Sequence, residues 1–167
     1  QFGGGIHSAM LAKGNNGAAA CQTWHTAHAI QKADDPDWQL TVINQCGTCH
    51  QEKLKTYRDT FHGQATNLGF RAVAACADCH GNHRILPASD PASPIARANL
   101  QKTCGKCHQD ATANFVKYDP HADKRDRTRN PLLYYAARSM QALLFGTFGF
   151  FGLHTMLWLG RALKERK

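Results

Sequence analysis

Apolar and polar positions divide the chain into two regimes. Residues 140–159, MQALLFGTFGFFGLHTMLWL, run for 20 positions without a Lys, Arg, Asp or Glu. A helix of that length and composition reaches across the hydrocarbon core of a bilayer, which predicts a transmembrane helix over 132–160. Tyr134, Tyr135 and Trp158 fall near its two ends, where amphipathic rings favour the interface. A core helix is the competing reading of this pattern, and the length argues against it. Upstream, the apolar residues are sparse. Leu54, Tyr57 and Phe61 share helical spacing within 49–61, as do Leu100, Cys104, Cys107, Phe115 and Tyr118 within 98–118. No stretch alternates as a strand would. The expected class is therefore mainly α with much irregular structure. Residues 86–94, LPASDPASP, read as a proline-rich loop. Residues 121–131 read as a basic juxtamembrane linker, solvated rather than packed, and 161–167 as a basic tail.

The chemistry lies in the polar regime. Cys46–Cys49–His50 (CGTCH), Cys76–Cys79–His80 (CADCH) and Cys104–Cys107–His108 (CGKCH) are three C-x-x-C-H runs. That spacing lets two thiols add to the vinyl groups of one haem while the adjacent imidazole reaches its iron. Six of the seven cysteines sit in these runs, which argues against a disulfide framework. Zinc would require four ligands converging from separate runs.

A repeat raises the number of sites. Residues 6–30 align without gaps on 61–85: His7 falls on His62, Gly14 on Gly69, Cys21 on Cys76, His25 on His80 and His28 on His83. Trp24 stands where the repeat has Cys79. Residues 46–51 pair in the same way with 104–109, so the chain reads as a duplicated two-site unit, 6–50 and 61–108. At the first site two readings stay open. Either Cys21 holds a haem by a single thioether with His25 on its iron, or the repeat has lost its cofactor and Trp24 fills the space. A Cys codon becomes Trp by one base change, so a variant or an error of sequence assignment also accounts for Trp24. Retention of His7, His25 and His28 favours the haem.

Four haems closed on both faces by imidazole would use eight of the ten histidines. His25, His50, His80 and His108 are the proximal ligands; His7, His28, His62, His83 and His121 are candidates for the four distal places. His83 follows His80 too closely to swing over the same haem, so it is expected to reach a neighbouring one, and the same holds for His28. Met10 is the only methionine before the apolar span, so Met/His coordination is confined to a single site at most. Iron sealed by two imidazoles is closed to substrate. This histidine supply favours low-potential bis-histidine haems over an open catalytic iron.

The formal charge of +8 changes less than it suggests. Basic chains bind polyanions, yet two propionates per haem would roughly offset this one, and no nucleic-acid partner is expected. Three or four macrocycles would also supply much of the core that so short a soluble part lacks. No signal peptide is visible, whereas thioether attachment implies export; a leader is expected to have been removed. Export also sets the orientation of the span, with the C-terminus cytoplasmic. His154 lies inside the span, and an imidazole buried in lipid invites two explanations. One is hydrogen bonding to a neighbouring helix or snorkelling; the other is ligation of a b-type haem shared with partner helices.

The segment YRDTFHG at 57–63, followed by CADCHGNHRILPASDP and TCGKCH, resembles the multihaem cytochromes c of bacterial respiratory chains, of the tetrahaem cytochrome c3-like and NapC/NirT-like type. The resemblance spans residues 6–121. Residues 151–161, FGLHTMLWLGR, look like the first haem-ligating helix of a cytochrome b of the formate dehydrogenase gamma or b561 type. The anchor here is C-terminal, whereas NapC-like proteins carry theirs at the N-terminus. The resemblance implies a multihaem cytochrome c domain over 1–120 that relays single electrons. Its partners would be a quinol-oxidising or b-type cytochrome subunit in the cytoplasmic membrane and periplasmic electron carriers. Two alternatives remain: a reductase with one open haem acting on a small oxyanion, and a structural anchor of a larger redox complex.

Overall fold

The computed structural model describes residues 2–166, and among them the regular structure is helical with no strand. The chain forms two compact units, Gln1–His121 and Ala122–Lys167.

Among the described residues the first unit contains seven short α-helices. They are α1 (Ile6–Ala12), α2 (Cys21–His25), α3 (Pro36–Cys49), α4 (Gln51–Arg58), α5 (Phe61–Asn67), α6 (Cys76–His80) and α7 (Leu100–Gly105). Helix α3 starts where Asp35 caps Asp37 N at 2.8 Å and Pro36 takes the first turn, in which a missing N–H costs nothing. The helical spacing of Leu54, Tyr57 and Phe61 does not make one helix. Thr60 Oγ1 accepts from Gly63 N at 3.1 Å, and this cap restarts the chain as α5 with Phe61 exposed. Residues 98–118 likewise break into α7 and a 3-10 turn at Phe115–Lys117. Tyr57 binds the pieces together, donating to Ala74 O at 2.9 Å and lying 3.2 Å from Thr66 Oγ1.

The duplication is visible in the backbone. Gly14 and Gly69, equivalent in the two copies, have φ of 83° and 84°. Helices α2 and α6 both run from the first cysteine to the histidine. Their N-termini are capped alike, with Ala20 N donating to Thr23 Oγ1 at 3.0 Å and Ala75 N to Asp78 Oδ2 at 2.7 Å. After α6 comes Gly81 at φ 78°, but its equivalent after α2 is Thr26, at φ 56° and ψ 162°. A side chain is strained there, and Thr26 Oγ1 is also buried without a hydrogen-bond partner. Thr26→Gly is therefore expected to stabilise the unit by about 1 kcal/mol, read as a rise in thermal midpoint.

The side-chain core of this unit is thin. The buried apolar residues among those described are Ile43, Tyr57, Leu86, Ala96 and Ala111. Larger apolar groups face outward, with Ile30 74%, Phe61 79% and Leu68 85% exposed.

The second unit is one long helix and its lead-in. Helix α8 (Pro131–Glu165) spans 35 residues, about 50 Å of rise. It is long and apolar enough to cross a membrane, and none of its apolar window is buried. A helix apolar on every side belongs in an apolar solvent. Tyr134 and Trp158 stand about 36 Å apart along it, far enough to bracket a hydrocarbon layer of about 30 Å. The lead-in is largely exposed and held in local turns. Asp123 N donates to Asn130 Oδ1 at 2.9 Å, Asp126 caps Thr128 and Arg129, and Arg127 lies 5.4 Å from the Tyr135 ring centre.

Candidate haem-iron ligand pairs

Each histidine expected to be proximal is placed by its own run. The backbone N–H of His50 returns to Cys46 O at 3.0 Å, and that of His108 to Cys104 O at 2.9 Å. One helical turn thus sets the first cysteine and the histidine of each run on the same side of the backbone. At Cys21–His25 and Cys76–His80 the same turn is α2 and α6 themselves. Among the described residues no disulfide pairs any of the seven cysteines.

The fold then brings a second imidazole to each of these four. His7 and His50 have ring centres 6.2 Å apart, His25 and His83 6.2 Å, His62 and His108 6.0 Å, and His80 and His121 6.3 Å. Two metal–imidazole bonds of about 2 Å in line, with each ring centre about 1.1 Å behind its nitrogen, require about 6 Å. The four spacings therefore fit one iron between each pair. They are too wide for direct hydrogen bonding of the rings, and the His25 and His83 rings lie within 17° of parallel. The histidines meet in twos, and among the described residues no three or more His, Cys, Asp or Glu side chains come together as a metal cluster.

The local chemistry suits ligation. Burial, and behind it the neighbouring His50, holds His7 below the ordinary histidine range; burial and His108 do the same for His62. His80 is lowered by burial and by His50, and His121 by burial, Lys53 and His80. A lowered imidazole keeps its lone pair at neutral pH, the form a metal binds. His121 is also oriented. Its Nδ1 lies 3.1 Å from Thr56 Oγ1, which is itself 3.1 Å from both Glu52 O and Lys53 O. In the tautomer in which Thr56 Oγ1 accepts from Nδ1–H, the lone pair a metal would bind lies on Nε2. No motif marks Thr56 for this part.

Successive sites adjoin. Trp24, in the first, packs edge-on to His7 with ring centres 5.3 Å apart, and His7 faces the histidine of the second. The Cys46 and Cys76 thiols adjoin, linking second and third sites, and their interaction holds Cys46 below the ordinary thiol range and pushes Cys76 above it. Cys79 of the third site, pushed up mainly by burial, lies within electrostatic reach of Cys104 and Cys107 of the fourth. His28 is exposed and faces no imidazole among the described residues, and His154 lies on the exposed surface of α8. Against known proteins, no family model, no curated protein and no solved structure matches the chain.

Proposed function

We propose that the chain is a membrane-anchored multihaem cytochrome c that passes single electrons between the membrane and soluble redox partners. The observation that supports this best is the set of four imidazole pairs, each about 6 Å across and each containing the histidine of a haem-attachment site. Haem supplies the one-electron chemistry. The polypeptide's part is to attach each macrocycle through its cysteines, to close both axial positions against water and substrate, and to hold consecutive sites side by side. Exposed apolar groups such as Phe61 and Leu68 would lie against the macrocycles rather than against solvent.

In this reading the haem unit lies on the periplasmic side of a bacterial cytoplasmic membrane. Helix α8 is its anchor, and quinol or a b-type haem in a partner subunit is the membrane-side donor or acceptor. His154 would serve such a b-type haem from within the span. The resemblance to tetrahaem respiratory cytochromes points the same way. The reading is tested by the intact mass of the mature chain beside a pyridine haemochrome spectrum. Four covalent haems are expected, three held by two thioethers and one, at Cys21, by a single thioether. A chain without covalent haem would contradict the proposal.

A further inference from the structure

The pairing of the histidines says more than that each iron is closed; it says from where. Resting on the multihaem reading above, we infer that the distal ligands are crossed, so that no haem is closed by the segment that attaches it: His7 binds the iron of His50, His62 that of His108, His83 that of His25, and His121 that of His80.

Three independent features lead to this map. The first is the spacing of the four pairs, 6.0–6.3 Å, which one iron between two imidazoles requires. The second is the repeat. His7 and His62 are equivalent positions, on α1 and α5, and His50 and His108 are equivalent too, so one rule is followed twice: the helix that opens a repeat closes the second site of that repeat. The first site of each repeat is closed from outside it, His25 by His83 of the second copy and His80 by His121 beyond that copy. The third is that the two outside ligands are held where they stand. Ile6 N donates to Ile85 O at 2.8 Å, and the backbone of Gly5 lies so close to His83 O and Ile85 that a Cβ there would come within 3.1–3.3 Å of them. The start of the first repeat thus grips the strand of chain that carries His83. His121 is held by Thr56 as described. His28 is the repeat twin of His83 but has no imidazole opposite it, and the map leaves it off iron.

The consequence is that neither repeat is complete alone. The first lacks the ligand for His25, and the second draws the ligand for His80 from the chain that follows it. Each iron joins two separate segments, which makes ligation itself the main long-range tie of this unit.

The test replaces distal histidines by methionine in the full-length, haem-loaded chain in detergent and reads the near-infrared charge-transfer signature of His/Met iron. His62→Met and His83→Met should each convert one haem of four. In a background lacking the fourth haem (Cys104→Ala with Cys107→Ala), His62→Met should add no His/Met signal while His83→Met still does. In a background lacking the first haem (Cys21→Ala), the two results should exchange. A His62→Met signal that survives loss of the fourth haem, or a His28→Met substitution that converts any haem, would overturn the map. For a variant that does not accumulate, iron–histidine connectivity in an experimental structure of the unsubstituted holoprotein decides the same point. Absence of covalent haem in the unsubstituted chain would instead overturn the reading on which the map rests.

Discussion

Made without haem attachment, the first unit is expected to lose its fixed tertiary structure altogether while α8 stays helical in detergent. The reason is the balance of the fold. Its helices are five to fourteen residues long, mostly too short to persist alone in water. Burial of a large apolar side chain contributes about 1.5–3 kcal/mol, and only Ile43, Tyr57 and Leu86 are of that size among the buried apolar residues described. Ordering a backbone costs about 1–2 kcal/mol per residue, so three such side chains cannot hold residues 2–121 in place. Four macrocycles and eight iron–imidazole bonds would. Near-ultraviolet circular dichroism and thermal melting of chain produced without haem maturation would show no cooperative transition. A sharp melt of that unit without haem would mean that the fold stands on its own side chains.

The second large effect is expected at Gly63→Ala, beside His62. A Cβ at this position would collide with the carbonyl oxygen of Tyr57 and come 2.6 Å from Arg58 Cα, both backbone atoms at the end of α4. Neither can rotate away as a side chain could, so α5 must shift. Overpacking of this kind costs about 1–3 kcal/mol or more. The shift carries His62 with it. The expected result is a lower melting temperature together with a high-spin component from the haem proposed at His108. A fall in stability with every haem still low-spin would show that α5 yields without moving its histidine.

Much of this was legible in the chain, for identifiable reasons. The apolar span shows because a helix crossing lipid needs some 20 uncharged residues in a row, a local property of sequence. The repeat shows because equivalent positions keep equivalent residues, and it carries over to the paired φ angles of Gly14 and Gly69. What failed to show was set by longer-range or finer effects. Spacing alone joined Phe61 to Leu54 and Tyr57, but the Thr60 cap turns the chain before Phe61. The connector after His121 has the composition of a solvated strap, which does not show that Asp123, Asp126 and Asn130 fold it into turns against the start of α8. Candidate distal histidines could be named from their surplus, but not matched to partners. His7 and His50 lie far apart in the chain, and only the tertiary fold brings their rings to 6.2 Å. Thr56 was invisible, since one threonine in a helix resembles any other until His121 is seen against it.

That paired imidazoles close every iron is most directly tested by near-infrared magnetic circular dichroism of the oxidised full-length protein, with electron paramagnetic resonance beside it. Four low-spin ferric centres with the charge-transfer energy of two neutral imidazole ligands are expected, unchanged by cyanide. A high-spin or five-coordinate population, or a centre that takes up cyanide, would contradict it.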